Sequence, residues 1–318
     1  MMLQIKMYLL VAALFGIIYA LVSVVGTLMG IGSFLFYGIL ATAMMLAQYM
    51  LGPKIVEWSM QVRYVSEEEE PELHKMVAEL AKKAGVPKPR VGIAKTSLPN
   101  AFAFGRWASD SRVCVTDGIL KLLDKKELRA VLGHEISHVK NRDVLVITLI
   151  SVVPTIAWYI AYSTMFSGNR EKGNTAAVGA LAFGIYFLTN LLVLYASRIR
   201  EYSADIGSVK IGNEPHCLAS ALYKLVYGSA ITARREPGEL KRVEGMKAFF
   251  ANDPSRAMEE LTDLEEVDID KSGHIDEKEL KALQRANLRI SGVDKFMEIL
   301  STHPNMVKRI QALAKMAE

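Results

Sequence analysis

The chain has 318 residues, enough for one large domain or two ordinary ones. Hydrophobic residues make up 51% of it and the mean hydropathy is +0.20, more apolar than a soluble domain requires, so a membrane is expected. A net charge of only +4 gives no nucleic-acid footprint, and two cysteines, Cys114 and Cys217, exclude a disulfide framework.

Residues 7–53 contain no charged side chain. A bilayer core takes about 20 apolar residues per helix, so this run predicts two spans, near Met7–Val25 and Phe34–Leu51, with Gly26, Gly30 and Gly32 in the turn between them. The run is too long for the apolar region of a cleaved signal peptide. Lys6 precedes the pair, Lys54 and Arg63 follow it, and the turn is uncharged. The positive-inside rule therefore places both ends, and the polar segment that follows, in the cytoplasm.

Glu67–Glu70 and Pro71 open an amphipathic helix to about Lys83, with Leu73, Met76, Val77 and Leu80 as its apolar stripe. His74 reads as a surface residue. Beyond Gly85-Val86-Pro87 come three short strand signals, Val91–Ala94, Ala101–Phe104 and Val113–Thr116, the last with Cys114 in the core. A short helix around Ile119–Leu123 leads to a longer one, whose start is marked by Asp124 and Glu127 at capping-box spacing. This helix carries His134-Glu135-Ile136-Ser137-His138, and no Pro or Gly interrupts His134 to Ile150. Residues four apart share a helix face, so both imidazoles can reach one ion, and Glu135 stands beside the first to activate water there.

Residues 144–169 and 173–197 are again uncharged and predict a third and a fourth span, the third holding Pro154. A catalytic zinc site needs a third protein ligand and an open position. Glu201, in Arg200-Glu201-Tyr202-Ser203-Ala204-Asp205, is the candidate ligand, and Asp205, four residues on, would hold a ligand imidazole in its tautomer. The plainer reading is a solvated helix end beside Arg198 and Arg200. His138 precedes the third span by about 9 Å of helix. If both helices continue into the membrane, the site lies at the cytoplasmic membrane surface.

Together these features resemble HtpX-type membrane zinc metallopeptidases, a family related to the CAAX prenyl proteases. Pro99-Asn100-Ala101-Phe102-Ala103 is similar to that family's edge segment, and His303-Pro304 with Arg309 to its late H-P-x-x-x-x-R element. The resemblance runs in order over nearly the whole chain. It implies an α-helical integral membrane protein with four transmembrane helices and a mostly α, zincin-like α+β cytoplasmic protease domain. The expected divisions are 1–53 and 144–197 in the membrane, and 54–143 and 198–318 in the cytoplasm. It implies one Zn²⁺ held by His134, His138 and Glu201, with Glu135 as general base. Asn100 and Ala101 would pair with an extended substrate backbone, His303 would help stabilise the oxyanion, and Arg309 would brace that region. The implied substrates are misfolded or damaged membrane proteins or unfolded polypeptides.

A second metal pattern lies outside that family's. Residues 268–279 fit an EF-hand loop, with side-chain oxygens from Asp268, Asp270, Ser272, Asp276 and Glu279, a backbone carbonyl from His274, and Gly273 at the sharp turn. Helices are expected on both sides, within a segment 257–290. Ser272 departs from the strict pattern and the loop is alone, so bound Ca²⁺ and an ion-free acidic loop both remain open. Further on the N-terminal side, His216 reads as structural, Leu218–Val226 as a helix and Arg234–Gly238 as an exposed linker; Met306–Ala317 reads as a C-terminal amphipathic helix. Two competing readings of the whole chain are a CAAX-type protease, which has more spans, and a non-catalytic membrane scaffold or calcium sensor. The intact set of His134, Glu135, His138 and Glu201 argues against the latter.

Overall fold

The computed structural model describes residues 34–166, 175–243, 250, 254, 257–264, 267–284 and 298–317; the first expected span lies outside them. In chain order the elements are α1 (Phe34–Ser59), β1 (Val62–Tyr64), α2 (Pro71–Ala84), β2 (Arg90–Ala94), β3 (Ala101–Phe104), β4 (Arg112–Thr116), α3 (Asp117–Leu122) and α4 (Lys125–Asn141). There follow α5 (Asp143–Phe166), α6 (Thr175–Lys210), α7 (Pro215–Arg235), α8 (Pro237–Val243), α9 (Ala257–Leu264), α10 (Glu277–Leu283) and α11 (Met306–Ala314). Among the described residues the protein is mostly helical with one small sheet.

The chain divides into two compact units, Met1–Leu51 with Leu145–Ile199, and Gly52–Val144 with Arg200–Glu318. In the first, α5 and α6 pack through Ile150, Val153 and Ala196, and again through Ala157 and Val178. Trp158, Tyr162, Phe183, Phe187 and Leu188 are exposed, so the outer faces of these helices are apolar too. Among the described residues two helical stretches, Asp143–Tyr162 and Ala177–Lys210, are long and apolar enough to cross a membrane. The second expected span falls within α1, which continues through Pro53 to Ser59.

The second unit is built on a four-stranded sheet of order β1-β2-β4-β3, with β2 and β4 parallel and both outer strands antiparallel. Alternation along the strands separates two faces. Val91, Ile93, Ala101, Val113 and Val115 join the main core with α2, α4, α7 and α11. Ala94, Phe102, Phe104 and Cys114 point the other way and pack with Val56 and Met60 at the end of α1. Burial at Cys114 raises its thiol pKa far above the ordinary range, as suits a core residue rather than a nucleophile.

The structure corrects two expectations, adds one strand and does not meet one condition. β1 was not anticipated; it follows Gln61, which has a φ of 49°. His74 is not a surface residue: its Nε2 lies 3.0 Å from the Val65 carbonyl oxygen. The expected linker at 234–238 shrinks to Glu236, because α7 runs to Arg235 and α8 starts at Pro237. The helix carrying His134 and His138 does not continue. It ends at Asn141, and Arg142 adopts a left-handed conformation (φ 56°) with its N–H directed to the carbonyls of His138 and Val139. A non-glycine residue there costs roughly 1–2 kcal/mol, which is why the sequence carries no sign of the break.

Candidate metal centre

The centre lies wholly in the second unit, where α4 meets the last part of α6. Asp124 caps α4, accepting from the backbone N–H groups of Lys126 at 2.8 Å and Glu127 at 2.9 Å, and Glu127 returns the bond to the Asp124 N–H at 3.0 Å. Glu127 also fastens α4 to α7, accepting from Ser220 Oγ at 2.6 Å and pairing with Lys224 Nζ at 2.7 Å. Two glycines let α4 and α6 approach closely. A Cβ on Gly133 would lie 2.1 Å from Asn213 Nδ2, and one on Gly207 would lie 2.4 Å from Ser137 Oγ. Ser208 Oγ donates to the Ala130 carbonyl at 2.7 Å across the same crossing.

This crossing sets the histidine face of α4 against Glu201 and Asp205. The Nε2 atoms of His134 and His138 face each other at 3.1 Å. Glu201 Oε2 is 3.5 Å from His134 Nε2, and Glu201 Oε1 is 3.6 Å from His138 Nε2. Each ring is held from behind by a carboxylate: His134 Nδ1 lies 2.9 Å from Asp205 Oδ1, and His138 Nδ1 lies 2.6 Å from Asp143 Oδ2. Arg309, fully buried on α11, donates to Asp205 through Nε at 2.9 Å and Nη2 at 2.7 Å, and its Nη1 lies 3.2 Å from Glu201 Oε2. Burial lowers the His134 pKa, but Asp205 and Glu201 outweigh it and raise it to about 10.

A cation fits this arrangement. Two ring nitrogens turned toward each other, and a Glu201 oxygen buried without a hydrogen-bond partner, all border one point. Two imidazoles and a carboxylate form a zinc donor set; in a tetrahedral site with bonds of about 2 Å, two nitrogens stand roughly 3.3 Å apart. Glu135 is 5% exposed, and burial pushes its carboxyl pKa up, partly offset by the two histidines. The His303 imidazole is buried with neither ring nitrogen hydrogen-bonded, and its Nδ1 is 3.8 Å from Glu201 Oε2.

Asn100 is buried just ahead of β3, the strand at one end of the sheet. Its N–H donates to Thr116 Oγ1 at 2.9 Å, and its carbonyl accepts from the Thr116 N–H at 2.9 Å. With that pair bonded, antiparallel alternation turns the N–H and C=O of Ala101 and Ala103 away from β4, toward the outer side of the strand. On that side the Ala103 N–H offsets part of the upward push that burial gives the Glu135 carboxyl pKa.

Of the six loop donors, Asp268, Asp270 and Glu279 bring ligand atoms within 4.8 Å of one another. Asp276 is used as the N-cap of α10, and Ser272 Oγ donates to the His274 carbonyl at 3.2 Å. Lys271 and Gly273 have φ of 57° and 83°. Sequence reasoning missed Asp143 and its contact with His138. It also missed a third donor group, Glu214, His216 and Cys217, where His216 Nε2 is 3.4 Å from Glu214 Oε2 and 3.5 Å from Cys217 Sγ.

Residues 67–317 match the pattern of Peptidase family M48. The chain is 58% identical over 224 residues to the Protease HtpX homolog of Methanothermobacter thermautotrophicus, covering 70% of this chain and 86% of that protein. It is 34% identical over 316 residues to the Protease HtpX homolog of Pyrococcus furiosus, covering 97% of this chain and 94% of that protein. Among solved structures it is similar to S. mikatae Ste24p, with a TM-score of 0.51 and 16% identity, covering 98% of this chain and 65% of that one; at this identity the likeness is one of fold.

Proposed function

The chain belongs to Peptidase family M48, a metallopeptidase family, and on that premise we propose that it is a membrane-integrated zinc endopeptidase of the HtpX type, acting at the cytoplasmic face on misfolded or damaged membrane proteins. The observation that carries the reading is the convergence of His134, His138 and Glu201 on one point, with Asp205 and Asp143 bonded to the opposite ring nitrogens of the two histidines. These three residues would hold Zn²⁺. Bound zinc supplies Lewis acidity, lowering the pKa of water and polarising a carbonyl. Glu135 takes the proton from the attacking water and passes it to the leaving amine; its raised pKa suits a group that must both accept and release a proton. Ala101 receives an extended substrate backbone along β3, with Asn100 beside it, and His303 donates to the developing oxyanion. Four spans, with α1, α5 and α6 among them, anchor the chain in the bilayer. The test is Glu135→Gln, assayed on an unfolded polypeptide: proteolysis falls on the order of 10²–10⁴-fold while zinc content is unchanged. Undiminished activity in that variant would refute Glu135 as the base.

A second reading concerns residues 268–279 alone. The converging oxygens of Asp268, Asp270 and Glu279 support a Ca²⁺ site, with Ser272, the His274 carbonyl and Asp276 as the remaining candidate donors. Leu280 and Leu283 of α10 pack in the same core as Met306, Val307 and Ile310 of α11, the helix that carries Arg309. Calcium there would steady α11. Calorimetric titration of Ca²⁺ into the wild type gives binding heat, lost in Glu279→Gln; no heat in the wild type ends this reading.

A further inference from the structure

His134 has its supporting carboxylate on α6, four residues after Glu201, a spacing visible in the sequence. His138 needs the same support, because its Nε2 can face an ion only if Nδ1 carries the proton and finds an acceptor. The acceptor is Asp143, 2.6 Å away and 5% exposed in its side chain. In an unbroken helix, position 143 would lie about 140° around the axis from position 138 and could not reach it. The left-handed conformation of Arg142 ends α4 and turns the chain so that Asp143 faces back to His138.

Asp143 is itself engaged from α6. Arg200 Nε lies 3.3 Å from Asp143 Oδ1, an ion-pair distance, and the next residue is Glu201. Asn141, the last residue of α4, donates from Nδ2 to Ser203 Oγ of α6 at 3.3 Å. The end of α4, the first residue of α5 and α6 are thus joined at one place, beside the ring of His138.

We infer that Asp143 and Arg200 are a pair of positioning residues for the metal centre: Asp143 fixes the tautomer and orientation of His138, and Arg200 holds the Asp143 carboxylate against that ring. This rests on the zinc reading proposed above. The break at Arg142 is the element that makes the arrangement possible.

The test uses the full-length protein in detergent, with Zn²⁺ affinity measured by chelator competition and the visible spectrum recorded after Co²⁺ substitution. Asp143→Ala weakens Zn²⁺ binding by about 10- to 100-fold and changes the Co²⁺ ligand-field bands. Asp143→Asn keeps an acceptor oxygen without the charge, and it recovers part of the loss and part of the spectrum. Arg200→Gln leaves the carboxylate in place and weakens binding less than Asp143→Ala, which keeps the inference open to test if the Asp143 variants fold poorly. Wild-type affinity and an unchanged Co²⁺ spectrum in Asp143→Ala would overturn the inference, as would wild-type affinity in Arg200→Gln for the part given to Arg200. If the wild type binds neither metal, the zinc reading fails and this inference falls with it.

Discussion

Two of the three groups of potential metal donors among the described residues of the second unit are built in opposite ways. At the crossing of α4 and α6, the donor atoms face one another, and a Glu201 oxygen is left buried without a hydrogen bond, while Asp205, Asp143 and Arg309 hold the groups from outside. In the loop 268–279 the carboxylates are served by the loop's own backbone. Asp268 accepts from the N–H groups of Ser272 and Gly273, and Glu279 from those of Ile269, Asp270 and Asp276. These bonds tie both carboxylates into the loop's own backbone. At the crossing Glu201 Oε2 has Arg309 at ion-pair distance but no hydrogen bond. An ion at the crossing would fill a place that the surrounding groups leave open; an ion in the loop would add to carboxylates that the backbone already serves.

The contrast can be broken most strongly at Arg309. Replacing it with leucine leaves Asp205 and Glu201 as buried carboxylates without their cation, and destabilises the metal-free protein by about 3–5 kcal/mol. Denaturant or thermal unfolding measures this, and a loss under about 1 kcal/mol would mean that the guanidinium is not the outer brace. Gly207→Ala comes next. Its Cβ would enter the space of Ser137 Oγ, and forcing α4 and α6 apart costs about 1–3 kcal/mol and lowers zinc affinity with it. If stability falls while zinc affinity holds, the close crossing is not what sets the donor geometry. The smallest effect belongs to the loop. Glu279→Gln keeps one acceptor oxygen and costs about 1 kcal/mol without calcium, with the response to calcium abolished. A larger loss would show that the loop depends on that carboxylate more than its own backbone bonds imply.

Different features were legible to different degrees, for physical reasons. The pair His134 and His138 and the capping box at Asp124 are local patterns fixed by helix geometry, so spacing alone carries them. The three longer strands were readable from short apolar runs. The triplet β1 was not, since three residues after a left-handed Gln61 hold too little pattern. The meeting of Glu201 with the two histidines depends on glycines at 133 and 207, whose role is to let helices touch and which look like propensity defects in isolation. Arg309 is separated from its partner Asp205 by 104 residues, and only the family resemblance pointed to its region. Asp143 was hidden because Arg142 breaks the helix without a glycine or proline to announce it.

The account turns on Glu201 completing a site with His134 and His138, and metal analysis of purified full-length protein tests that most directly. The wild type should retain close to one zinc per chain after exhaustive dialysis against a weak chelator, and Glu201→Ala should lose most of it under the same conditions. Equal zinc content and equal affinity in the two proteins would contradict the account.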